Sequence, residues 1–166
     1  SFRGTGLPSR EPTLGSIAMP HVVILYTGNL DQPADQGGTD MKVLCRALAD
    51  TMLTARDEVG KQVFPTGGTR VLAYPAAHFA VADDGSVGRA AGGDGNYAFV
   101  YLNLRMAKGR SAKVHADVGR ALEATVKAHF AQHLANRHIG ITLQIDEGHE
   151  VFDAKNSSLH PLFLKP

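Results

Sequence analysis

A proline follows a methionine in the stretch M-P-H-V-V-I-L-Y, residues 19–26. In a chain that began at Pro20, the proline nitrogen would be a secondary amine, and α-amino groups titrate at about 7.7–8.0 in model peptides. Neighbouring arginines or burial would push that value down toward neutrality. A base poised near the working pH suits proton transfer, which contributes roughly 10²–10⁴ in rate. The plainer reading is a proline that opens a strand, where its missing N–H costs nothing. Eighteen residues precede Met19 in this sequence, and in that context the Pro20 nitrogen is a tertiary amide without useful basicity.

Arg70 follows P-T-G-G-T, and Arg110 follows R-M-A-K-G. Arginine forks bind carboxylates in two-point fashion and stabilise negative charge that builds on an enolate oxygen. Any single arginine at an element end is more commonly just solvated. His21, beside Pro20, either lines the same pocket or is a strand residue with a satisfied ring nitrogen.

His129 and His133 stand four apart, as in a helical metal pair, but Phe130 occupies the position where a metalloprotease carries its glutamate. A structural role on the helix face is preferred to a metal site. G-G-D-G-N has neither the spacing nor the ending of a nucleotide-binding loop and reads as a turn. Tyr97, Phe99 and Tyr101 share one parity of a strand and suit packing or an interface.

The elements that must position these residues follow from pattern. Pro20 to about Thr27 is apolar on both parities, as a central strand should be. After a loop, Thr39 or Asp40 caps a helix whose apolar face, Met41, Leu44, Cys45, Leu48 and Met52, reaches about Glu58. Thr69 to Tyr74 is a second strand, with Pro75 as a limit or a sign of an edge. A glycine-rich connection over 83–96 leads into the strand composition of N-Y-A-F-V-Y-L-N-L-R. Ser111 caps a second helix to about Asn136, with a stripe of Val114, Val118, Leu122, Val126 and Phe130. Ile139, Ile141, Leu143 and Ile145 alternate along a last strand. The order is strand-helix-strand twice over, each unit joining two parallel strands. Two helices can cover one face of a four-stranded sheet. The other face is also apolar, so a homo-oligomer packed through its sheets is expected.

Bulk properties narrow the class. The 166 residues suffice for one domain with its own core. A formal net charge of +1 argues against a general nucleic-acid binder. Cys45 is the single cysteine and cannot form an internal disulfide, which fits a reducing cytoplasm. No apolar run approaches a membrane span. Residues 1–19 lack the apolar centre of a signal peptide and read as a tag, an over-long gene start or a genuine tail ahead of a single domain over 20–166.

The ordered set M-P-H-V-V-I-L-Y, V-F-P-T-G-G-T-R, N-Y-A-F-V-Y-L-N-L-R-M-A-K-G-R-S, K-A-H-F-A-Q-H-L-A-N-R, L-Q-I-D-E-G-H-E and N-S-S-L-H-P-L-F resembles the 5-carboxymethyl-2-hydroxymuconate isomerases of the tautomerase superfamily. The likeness runs from Met19 to Phe163. It implies an α/β, tautomerase-like fold: a four-stranded mixed sheet from two β-α-β units, with two helices on one face, assembled as a homotrimer. It implies no metal or organic cofactor and a small carboxylate-bearing substrate. Pro20 would carry the proton, while Arg70 and Arg110 would bind and polarise, with His21 beside them. The reaction would be keto–enol isomerisation of an unsaturated oxo acid in aromatic-acid degradation. Leu72 stands where the family usually carries another arginine. Two rival readings remain: a tautomerase or decarboxylase of another oxo acid, and a non-catalytic homologue whose acylated Pro20 leaves only a carboxylate-binding pocket.

Overall fold

The structure is a computed structural model and describes residues 20–164. The segment 1–19 therefore lies outside the described residues. Four strands form a single sheet in the order β2-β1-β3-β4. They are β1 (His21–Thr27), β2 (Arg70–Ala76), β3 (Ala98–Ala107) and β4 (Ile139–Gly148). β1 and β2 pair in parallel, as do β3 and β4, while β1 and β3 run antiparallel at the centre. This is the expected mixed sheet of two β-α-β units. Pro75 is tolerated within β2 because β2 is an edge strand, where a missing donor need break no ladder bond.

Helix α1 (Met41–Thr54) is capped by Asp40, whose carboxylate accepts from the N–H groups of Lys42 (2.9 Å) and Val43 (3.2 Å). Met41, Leu44, Leu48 and Met52 are its buried stripe. The helix stops four residues short of the expected Glu58. Ala55 turns extended and its carbonyl accepts from Val63 N–H, while the Asp57 carboxylate collects the N–H groups of Val59 and Lys61. An aspartate that satisfies its own turn competes with continuation of a helix.

A five-residue helix, α2 (Ser86–Ala90), sits in the glycine-rich connection read as loop alone. Gly85 is its N-cap, and the Asp83 carboxylate ahead of it accepts from the N–H groups of Val87 and Gly85, which holds that carboxyl below the usual range. A helix this short shows no periodicity that sequence could reveal.

The second long helix is divided into α3 (Ala112–His129), capped by Ser111, and α4 (Ala131–Asn136). Val114, Val118, Leu122, Val126 and Phe130 recur at strict four-residue spacing. In a straight helix each step drifts by about 40°, so the four steps from Val114 to Phe130 outrun one face. The break at Phe130 returns its ring to the core, where it is fully buried. His129 and His133 flank that ring edge-on. Their Nε2 atoms hold the loop before α1: His129 pairs with Thr39 Oγ1 (2.8 Å), and His133 with the carbonyls of Gly37 and Gly38 (3.1 Å each).

α1 and α3 cover the sheet face formed by Val22, Ile24, Tyr26, Val100, Leu102 and Leu104. The opposite parity builds the other face. Its β1 and β2 half carries Leu25 (49% exposed), Leu72 (45%) and Tyr74 (51%). Its β3 and β4 half is polar, with Tyr101 Oη donating to Gln144 (2.8 Å) and Asn103 to Asp146 (2.7 Å).

Candidate active site

The residues singled out from sequence meet at one end of the sheet, where β1 and β2 begin and β3 ends. Pro20 precedes β1 and is buried. It lines a small cleft with Val63, Phe64, Pro65, Met106, Ala107 and Arg110. Arg110 comes from the turn after β3, and its Nη2 donates to the Val63 carbonyl at 2.8 Å. That bond uses one of five guanidinium donors. The next residue, Ser111, caps α3 and also donates to the Glu58 carboxylate, which lowers the pKa of Glu58. The Asp57 turn is thereby tied to α3 beside Arg110.

His21 and Arg70 line a second, larger cleft of about 440 Å³ on the other side of the strand ends. Strand alternation accounts for the split, because consecutive residues at the start of β1 face opposite ways. The two clefts share Met106. Pro20 and Arg110 thus stand on one side, and His21 and Arg70 on the other, rather than in one undivided pocket.

Arg105, Glu150, Asp153 and Lys155 complete the larger cleft. None was singled out from sequence. Arg105 had a detectable signal, since it continues the polar parity of Tyr101 and Asn103 along β3. The other three follow β4 in a stretch without periodicity. The chain after them returns to the site: a 3-10 turn at His160–Phe163 packs on the turn at Thr66–Gly68. Gly67 makes this possible, because a Cβ there would lie 2.8 Å from His160 Nδ1 and 2.9 Å from its Cα.

The family model for 5-carboxymethyl-2-hydroxymuconate isomerase matches residues 20–163. The chain belongs to this family. The 5-carboxymethyl-2-hydroxymuconate Delta-isomerase of Escherichia coli is 27% identical over 145 residues, which span 87% of this chain and 99% of that protein. A crystal structure of a 5-carboxymethyl-2-hydroxymuconate delta-isomerase is 54% identical, covers 93% of this chain and 99% of its own, and superposes with a TM-score of 0.85. A 5-carboxymethyl-2-hydroxymuconate isomerase from Deinococcus radiodurans R1 is 30% identical over 89% of this chain and 96% of its own, with a TM-score of 0.69. The match begins at Pro20, the residue that opens the first cleft.

Among the described residues, no group of three or more histidine, cysteine or acidic side chains could hold a metal ion. No helix among them is long and apolar enough to cross a membrane.

Proposed function

We propose that this protein isomerises 5-carboxymethyl-2-hydroxymuconate, or a closely similar unsaturated oxo acid, without a cofactor and with Pro20 as the proton carrier. The observation that carries the reading is the burial of Pro20 in a cleft with Arg110, backed by the cleft of His21 and Arg70 across the strand ends. The reading requires a chain that starts at Pro20, with residues 1–19 as an extension ahead of one domain over 20–166.

In such a chain the amine, desolvated and next to a guanidinium, is held neutral near pH 7. Its nitrogen takes the proton of the dienol hydroxyl, and the O–H bond electrons become those of a dienolate. Arg110 stabilises the developing negative charge at the oxygen. The electrons then shift along the conjugated chain, and the ammonium returns its proton to carbon, which forms the C–H bond of the keto product. Arg70, with His21 beside it, fixes a carboxylate and so the orientation of the chain over the amine.

The exposed apolar half of the sheet supports assembly as a homotrimer. A single cysteine and a soluble catabolic role support a cytoplasmic location.

The test compares the chain as written with one starting at Pro20, by ultraviolet-monitored isomerisation of 5-carboxymethyl-2-hydroxymuconate. Activity only in the shorter chain is expected. Equal activity in two intact chains would remove the amine from the mechanism. Silence in both would favour another oxo acid or the binding-only homologue.

A further inference from the structure

We infer that Arg105 determines which acids the site prefers, by receiving a carboxylate at the end of the substrate remote from Pro20, so that acids with an additional carboxylate-bearing arm are favoured. The inference rests on the reaction proposed above for its substrate, but the arrangement of charges behind it is independent of that reaction.

Sheet register is the first support. His21 is level with Arg70 on β2 and with Arg105 on β3. Register partners project from the same face, so the three side chains form a row across three strands. Arg70 and Arg105 flank His21 from either side. With strands about 4.8 Å apart, their Cα atoms are separated by about 10 Å. Two forks at that separation suit two carboxylates of one small acid, or two edges of one carboxylate.

The state of the Arg105 side chain is the second. Arg105 is exposed, and its guanidinium has no hydrogen-bond or ion-pair partner among the described residues. Arg110, by contrast, is engaged with Val63. The carboxylate best placed in register to neutralise Arg105 is Asp146 on β4. That carboxylate is taken by Asn103 instead. Gly148 leaves room for the guanidinium to lie across the end of β4, since a Cβ there would sit 2.5 Å from Arg105 Nε.

The charge balance of the cleft is the third. Among the described residues that line the cleft, Arg70, Arg105 and Lys155 face Glu150 and Asp153, three cations against two carboxylates, or +1 before His21 is counted. Lys155 pairs with Asp153. A planar guanidinium aimed into a cleft of this size suits the fork geometry of a ligand carboxylate.

The experiment pairs Arg105→Gln with Arg105→Lys. Turnover is measured, in the chain starting at Pro20, on 5-carboxymethyl-2-hydroxymuconate and on 2-hydroxymuconate, which lacks the carboxymethyl arm. Binding of propane-1,2,3-tricarboxylate and of glutarate is measured on the full chain by calorimetry. Arg105→Gln is expected to lower the preference for the substrate with the extra arm, as a ratio of kcat/KM values, by about tenfold to a hundredfold, through KM rather than kcat. It should weaken the tricarboxylate relative to glutarate to a similar degree, and Arg105→Lys should recover part of both. An unchanged ratio in turnover and in binding overturns the inference. Should the wild type turn over neither muconate while Arg105→Gln still loses the tricarboxylate selectively, the proposed reaction fails and the role of Arg105 stands.

Discussion

Pro20 and His21 are adjacent in the chain yet line different clefts, one shared with Arg110 and the other with Arg70. A strand alternates its side chains between faces, so two neighbours at its first positions serve two sides of a sheet end. On the proposed mechanism, this division separates a proton-handling cleft from an anion-holding one, with Met106 lining both.

The first prediction concerns the amine. In the chain starting at Pro20, Pro20→Ala leaves a primary amine of different basicity and geometry. We expect kcat to fall by roughly 10²–10⁴, with a much smaller change in KM. Steady-state kinetics at several pH values would decide the matter, and an unaltered kcat would exclude the nitrogen as proton carrier.

Arg110 has a structural bond as well as its proposed role, so its removal should register in two assays. Arg110→Ala deletes the donor to the Val63 carbonyl and is expected to lower stability by about 1.5 kcal/mol, alongside a loss in kcat. Arg70→Ala should act mainly on KM. Chemical denaturation and kinetics on both variants test the contrast; identical behaviour of the two would contradict the separation of the clefts.

Leu25 is half-exposed on the apolar part of the sheet. Leu25→Asp places a charge where the proposed trimer buries its sheets, and burying an unpaired charge is costly. The expected result in light scattering is a shift from trimer to monomer while circular dichroism remains that of a folded chain. Persistence of the trimer would move the interface elsewhere.

The pH response of stability has a local source in His129. Burial, then the charge of His133, pushes its pKa below the ordinary histidine value of about 6.5, against a smaller opposing effect of Asp40. The unfolded chain therefore binds the proton more readily than the native one. Stability from this group is fully present above about 6.5 and declines as pH falls toward the lower native value. His129→Gln should narrow the difference in Tm between pH 7.5 and pH 5. An equally wide difference in the variant would assign the response to other groups.

Much of this fold can be read directly from residue pattern. The two β-α-β units, the parity of β1 and β3, and the cap at Ser111 all follow from local sequence. Helix ends were less readable. Asp57 and Phe130 each redirect the chain for reasons seen only in three dimensions: a self-satisfied turn in one case, a place in the core in the other. The short helix at Ser86–Ala90 lies below the length at which periodicity exists. At the candidate site, Pro20 stands out through the Met-Pro pair, and Arg70 and Arg110 through their places at turns beside strand ends. Arg105 was passed over because its importance comes from pairing with His21 across an antiparallel ladder, a relationship between residues more than eighty positions apart (105 − 21 = 84). The separation into two clefts likewise depends on which face each side chain takes.

The central antiparallel pairing of β1 with β3 relates the two β-α-β units by an approximate half-turn about an axis through the middle of the sheet. Under that operation the start of β1 exchanges with the start of β3, and the start of β2 with that of β4. The end occupied by Pro20 and Arg70 thus has a geometric twin near Tyr97 and His138. There Tyr97 meets the His138 ring edge-on and accepts from Gly88 N–H. The backbone offers the same address twice, but the side chains at the second are committed to bracing a glycine-rich loop. With the proposed chemistry at one pole and architecture at the other, a repeated scaffold becomes a polar molecule, with a front and a back.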